Sequence, residues 1–147
     1  MNRPAKPAPV QFYLDADVLG LAKILVQVRG DVTYPGDPGG KVKGGRFRAA
    51  CPVTDASTRD HVWIPETARH RWLIITRDRR IQEHRAEIDA VRNSGARMVT
   101  LAGAEAVDTF SQLEALMCNW RQVQRLLARS GPYIYIATRT RLRELPI

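Results

Sequence analysis

Short runs of apolar residues alternate along the chain with longer segments in which apolar residues recur every three or four positions. The short runs have the length of strands, and a strand covered on both faces reads as a nearly continuous apolar run. The predicted strands are VQFYL at 10–14, DVTY at 31–34, WLIIT at 72–76, RMVTL at 97–101 and the start of GPYIYIATRTRLREL at 131–145. The rest of that last segment is predicted to be a basic tail.

The longer segments have the spacing of amphipathic helices. In the first of them Leu21, Leu25 and Val28 recur at this spacing, and the next glycine, Gly30, is a typical helix end. The predicted helices cover about residues 18–29, 79–94 and 105–129, and a shorter helix begins at a cap formed by Ser57 or Thr58. Proline is tolerated in the first turn of a helix, so Pro65 favours two pieces for that shorter helix.

Strands that alternate with helices over short connections predict an α/β protein. The expected architecture is a three-layer α/β/α sandwich with a mostly parallel central sheet, in a single domain over residues 10–147. Residues 1–9 hold three prolines and two cations and are predicted to form a flexible arm. Residues 35–50 are rich in glycine and lack helical or strand periodicity, so a mobile loop is predicted there.

The glycine-rich segment resembles a phosphate-binding loop only superficially. A nucleotide-binding loop of the GxxxxGK[ST] type needs glycine where Pro35 stands, and serine or threonine where Val42 follows Lys41. The sequence therefore excludes this class of nucleotide-binding protein. A zinc site is disfavoured as well, because Cys51 and Cys118 lie far apart and the histidines lack ligand spacing.

The charge of the chain favours an anionic partner. Lysine and arginine outnumber aspartate and glutamate by 23 to 15, which gives a net charge of +8, and nucleic acid is the partner that such an excess favours. The longest apolar stretch, residues 18–28, is interrupted by Lys23 and Gln27, so no transmembrane helix is predicted. The first ten residues lack the apolar region of a signal peptide, and the expected location is the cytoplasm.

Acidic residues follow the predicted strands at the points where the strands end. Asp15 comes directly after the strand at 10–14, and Asp78 follows the strand at 72–76. Asp60 begins the helix that leads into that second strand, so it is expected at the same carboxyl edge of the sheet. Crowded carboxylates repel each other, and a divalent cation such as Mg²⁺ or Mn²⁺ relieves the repulsion. The sequence predicts a cation site there, with Asp17 as a further candidate ligand.

The same acids also have structural interpretations. Asp17 is well placed to cap the helix at 18–29, Asp60 can interact with a helix dipole, and Asp78 can cap the helix that follows it. Asp37 and Asp55 are expected to be solvated loop acids. The DxD pattern at 15–17 leaves a phosphatase with a nucleophilic aspartate open as a disfavoured alternative.

Three segments together resemble the PIN-like domain family, and in particular the small bacterial proteins akin to VapC-type toxins. The segments are FYLDAD at 12–17, STRDHVWIPETARHRWLIITRDRRI at 57–81 and GPYIYIATRTRLREL at 131–145. The resemblance implies a compact α/β/α fold and a divalent-metal ribonuclease that cuts RNA. It also implies a cognate antitoxin that covers the site, and small proteins of this kind often form homodimers.

The resemblance assigns roles to individual residues. Asp15, Asp60 and Asp78 are implied as catalytic ligands of Mg²⁺ or Mn²⁺, Thr76 supports them through a hydrogen bond, and Asp17 is a weaker candidate. The expected RNA-binding residues are Arg77, Arg79, Arg80, Lys41 and Lys43. The three tryptophans are expected in the core. The predicted function is a metal-dependent ribonuclease, the toxin of a toxin–antitoxin pair, and the alternative is a non-catalytic RNA-binding or protein-interaction module on the same fold.

Overall fold

The structure is a computed structural model that describes residues 6–42, 44–78, 80–102 and 106–147. Its strands are β1 Phe12–Leu14, β2 Val32–Thr33, β3 Gly40–Val42, β4 Arg46–Arg48, β5 Leu73–Arg77, β6 Arg97–Leu101, β7 Tyr133–Thr138 and β8 Arg141–Leu145. Its helices are α1 Leu19–Val28, α2 Asp60–Arg69, α3 Arg85–Ser94, α4 Thr109–Cys118 and α5 Trp120–Leu126. Single 3₁₀ turns cover Ala16–Val18 and Ile81–Glu83.

Six strands form the central sheet in the order β2-β1-β5-β6-β7-β8. The first five are parallel to one another, and β8 is antiparallel to β7. Successive strand residues face opposite sides, so that Phe12 and Leu14 pack against α1, α4 and α5 whereas Tyr13 packs against α2 and α3. This confirms the predicted three-layer sandwich, and it brings the carboxyl ends of β1, β5 and β6 to one edge.

The prediction of a mobile loop at residues 35–50 is wrong, because β3 and β4 form an antiparallel hairpin there. Asp37, expected to be solvated, is only 2% exposed and accepts two hydrogen bonds from Arg48, at 2.7 and 2.9 Å. The Thr33 hydroxyl and the Gly39 amide each donate a further bond of 2.9 Å to the same carboxylate. A buried ion pair therefore fixes the hairpin to β2, and sequence periodicity does not report such a contact.

Part of the predicted N-terminal arm lies beside this hairpin. The Phe47 amide donates to the Lys6 carbonyl at 2.8 Å, and the Ala8 amide donates to the Phe47 carbonyl at 2.7 Å. The remainder of the arm, residues 1–5, lies outside the described residues.

Several predicted element boundaries are also wrong. The helix expected over 105–129 is two helices, since the buried Asn119 side chain interrupts it by donating to the carbonyls of Ala115 and Thr138. The helix containing Pro65 is a single one, and the predicted basic tail is the strand β8. Among the described residues, every helix is too short or too polar to cross a membrane.

Candidate active site

A cleft of about 550 Å³ opens at the carboxyl edge of the sheet, beside the ends of β1 and β5. Among the described residues that line it, five carry carboxylates, and these come from four separate segments of the chain. The lining residues are Asp15, Asp17, Asp60, Thr76, Arg77, Asp78, Arg80, His84 and Glu87. The structure thus brings together all the acids that the sequence predicts for the site, and it adds one more.

Asp15 directly precedes the 3₁₀ turn that follows β1, Asp17 lies within that turn, and Thr76 of β5 lies against both. The Thr76 hydroxyl is 3.0 Å from Asp17 Oδ1 and 3.4 Å from Asp15 Oδ2. The Arg77 amide also donates to Asp17, at 3.3 Å, and α1 has no side-chain cap. The interpretation of Asp17 as the cap of that helix is therefore wrong, because its carboxylate turns towards β5 and the cleft.

Asp60 reaches the cleft from the first turn of α2. The helix runs antiparallel to the β5 strand that follows it, so its N-terminus lies at the carboxyl edge of the sheet. Trp63, one turn later, is buried in the core and donates its indole N–H to Asp60 Oδ1 at 3.0 Å. A core tryptophan thereby fixes the position of a cleft carboxylate.

Asp78 directly follows β5 and is held by residues that come shortly after it in the chain. The Arg80 amide donates to Asp78 Oδ1 at 2.8 Å, and His84 Nδ1 forms a hydrogen bond with Asp78 Oδ2. The same ring nitrogen lies 3.8 Å from Glu87 Oε2, on the first turn of α3. Asp78 therefore faces the cleft as part of a cluster, and it does not cap α3.

Glu87 and His84 were not among the residues predicted for the site. A signal for Glu87 exists in the sequence, because it precedes the fully buried Val91 by four positions and so falls on the inward face of α3. In the sequence alone, however, Glu87 is one of several charged residues in this helix, and nothing indicates that it faces a cleft. His84 has no comparable signal, since its role depends on the 3₁₀ turn that brings it back to Asp78.

Burial and mutual repulsion disfavour the charged forms of three of these acids. Desolvation, followed by repulsion from Asp17, raises the pKa of Asp15 to about 7. Desolvation raises the pKa of Asp17 to about 6, although hydrogen bonds from Thr76 and Arg77 oppose the change. Desolvation, with repulsion from Asp60 and Asp78, raises the pKa of Glu87 to about 8. The cleft therefore concentrates negative charge, which a bound cation or protons can compensate.

The raised pKa values predict that the metal-free protein loses stability as the pH rises. Between pH about 4 and about 8 the folded state binds more protons than the unfolded chain at Asp15, Asp17 and Glu87, so the free energy of unfolding falls across this window. Water in the open cleft screens these charges, so the expected loss in the free energy of unfolding is only on the order of 2 kcal/mol.

Urea unfolding in EDTA at pH 5 and pH 8 measures this loss. Glu87→Gln removes one of the three charges and is expected to make the dependence weaker. A free energy of unfolding that stays constant or increases from pH 5 to pH 8 would contradict the raised pKa values.

The predicted RNA-binding residues divide between the cleft and other places. Arg77 and Arg80 line the cleft, whereas Lys41 is exposed on the β3–β4 hairpin and does not line it. Arg79 and Lys43 lie outside the described residues. Arg143 of β8 lines a smaller cavity, of about 180 Å³, that shares Asp78 with the cleft.

The donor set of the cleft fits a divalent cation. Carboxylate oxygens are the ligands preferred by Mg²⁺ and Mn²⁺, and the cleft presents five carboxylates within one small opening. The candidate ligands are Asp15, Asp17, Asp60, Asp78 and Glu87.

The protein family described as a PIN-like domain matches residues 43–103, which is less than half of the 147 residues. The matched segment contains Asp60, Asp78 and Glu87, while Asp15 and Asp17 lie outside it and join them through the fold. The match supports a PIN-like domain and with it a nuclease-type fold. No curated protein and no solved structure matches the chain.

Proposed function

We propose that the protein is a divalent-metal-dependent ribonuclease that hydrolyses RNA phosphodiester bonds. The observation that supports this most strongly is the convergence of five carboxylates from four chain segments in one cleft, beside two arginines. Crowded carboxylates repel one another in a folded protein, and a bound cation would relieve this repulsion. The basic surface, with its net charge of +8, suits a polyanionic substrate.

The proposed roles follow from the positions of the side chains. Asp15, Asp17, Asp60, Asp78 and Glu87 hold the cation, and Thr76 orients Asp15 and Asp17 through its hydroxyl. A bound cation supplies an acidified water and stabilises negative charge on the phosphate that is attacked. Arg77 and Arg80 bind phosphate oxygens of the RNA, because guanidinium groups match them in a bidentate manner.

The biological context belongs to the same proposal. The resemblance of the chain to small VapC-type proteins supports the toxin of a toxin–antitoxin pair that acts on RNA in the cytoplasm. A cognate antitoxin would then occlude the cleft, and the protein would be able to form a homodimer.

Incubation of the purified protein with a mixed pool of single-stranded RNA tests the proposed activity. Cleavage is expected with Mn²⁺ or Mg²⁺ and is expected to stop in EDTA, because in this proposal the bound cation supplies the activated water. Electrophoresis of the end-labelled pool measures the products. Binding of the RNA without cleavage under all three conditions would reject the enzyme and favour a non-catalytic RNA-binding module on this fold.

A further inference from the structure

The Asp78, His84 and Glu87 side chains form a cluster whose chemistry differs from that of the rest of the cleft. One ligand atom from each, two carboxylate oxygens and an imidazole nitrogen, lies within 4.8 Å of the other two. In an octahedral complex with bonds of about 2.1 Å, neighbouring ligand atoms are about 3 Å apart and opposite ones about 4 Å. The three atoms therefore need to move by less than about 1 Å to share one ion.

The positions of the two carboxylates are restrained before any ion binds. The Asp78 side chain is 10% exposed and receives the Arg80 amide at 2.8 Å, and the Glu87 side chain is 13% exposed. His84 lies at the mouth of the cleft with a side chain that is 52% exposed, one helical turn before Glu87. The ring can therefore adjust to an ion held by carboxylates that are already in place.

The other side of the cleft offers only oxygen. Asp15 and Asp17 are joined there by the Thr76 hydroxyl, and among the described residues that line the cleft His84 is the one with an imidazole. The two sides thus differ in their affinity for ions, because Mg²⁺ prefers oxygen and retains water, whereas first-row transition ions also accept imidazole nitrogen.

We propose that Asp78, His84 and Glu87 form a mixed nitrogen–oxygen subsite that selects a first-row transition ion over Mg²⁺. This inference rests on the proposed metal-dependent function and specifies the cation. The probe is Mn²⁺, which is paramagnetic and accepts both carboxylate oxygen and imidazole nitrogen.

Pulsed electron paramagnetic resonance of Mn²⁺ bound to the full chain tests the subsite without an activity assay. The wild type is expected to show magnetic coupling of Mn²⁺ to ¹⁴N, and His84→Gln is expected to lose it. His70→Gln is the matched control, because His70 pairs with Glu66 and stacks on Trp72 away from the cleft residues. That control is expected to retain the coupling.

Competition between Mn²⁺ and Mg²⁺ for the protein tests whether His84 is a ligand of the ion or only positions Asp78. In His84→Gln the affinity for Mn²⁺ is expected to fall about tenfold, whereas the affinity for Mg²⁺ changes by less than about threefold because water replaces the nitrogen. Equal losses for both ions would show that His84 only positions Asp78, and would overturn the proposed subsite.

The outcomes distinguish this inference from the proposed function. Mn²⁺ that binds the wild type without ¹⁴N coupling overturns the mixed subsite and leaves a metal-dependent nuclease in place. A wild type that binds neither Mn²⁺ nor Mg²⁺ overturns both. Coupling lost in His84→Gln and retained in His70→Gln supports the subsite.

Discussion

Replacing Asp15 by asparagine is expected to lower the rate of metal-dependent RNA cleavage by at least about 1,000-fold, since a cation contributes several kcal/mol to the stabilisation of charge in phosphodiester hydrolysis. Asparagine keeps the shape of the side chain and removes the charge. Asp15 lies directly at the end of β1 and lines the cleft, with its carboxylate 3.4 Å from the Thr76 hydroxyl. Single-turnover cleavage of a defined RNA in Mn²⁺ measures the effect.

Asp89→Asn is the matched control for this substitution. Asp89 lies on α3, pairs with Arg92 at 2.9 Å and does not line the cleft, so the change removes the same charge elsewhere. Its cleavage rate is expected to stay within about twofold of the wild type, because Asp89 lies outside the cleft and an exposed ion pair contributes little to stability. A rate in Asp15→Asn close to that of Asp89→Asn would remove Asp15 from the catalytic site.

Replacing Asp37 by asparagine is expected to lower the free energy of unfolding by about 3–5 kcal/mol, because the substitution leaves the Arg48 guanidinium buried without its counter-charge. Both partners are almost fully buried, and the pair joins the β3–β4 hairpin to β2 through Thr33. Equilibrium unfolding in urea measures the loss.

The Arg29–Asp31 ion pair provides the comparison for Asp37. It is also bidentate, at 2.9 and 2.8 Å, but the Arg29 side chain is 32% exposed. Asp31→Asn is therefore expected to cost no more than about 1 kcal/mol. Equal losses in Asp37→Asn and Asp31→Asn would mean that burial does not determine the contribution of the hairpin pair. The double change Asp37→Leu with Arg48→Met is expected to recover most of the stability, since no unpaired charge remains.

The sequence predicts the five parallel strands of the central sheet and the edge that holds the cleft, because the relevant signals are local. Asp15 and Asp78 directly follow apolar strands, and parallel strands place their carboxyl ends together whatever the details of packing. Asp60 could be placed by the same reasoning, since the helix leading into a strand must begin at that edge. The three layers follow from the alternation of helices and strands, whereas the strand order comes from the structure alone.

The features that could not be predicted depend on contacts between distant residues. The buried pair of Asp37 and Arg48 orders a glycine-rich segment whose composition alone favours a loop. Glu87 reaches the cleft because the side of α3 that carries it packs against the sheet. His84 reaches the cleft because the preceding 3₁₀ turn brings it back to Asp78. The sequence left Asp17 open as a helix cap or as a residue of the cleft. Its hydrogen bond from the Thr76 hydroxyl, on the neighbouring strand β5, places it in the cleft.

A crystal soaked in Mn²⁺ would test the central claim most directly, because the anomalous scattering of the ion shows its position independently of any assay. The account predicts at least one anomalous peak in the cleft, within about 2.5 Å of carboxylate oxygens that include those of Asp15 or Asp78. A map in which Mn²⁺ binds only outside the cleft would contradict it.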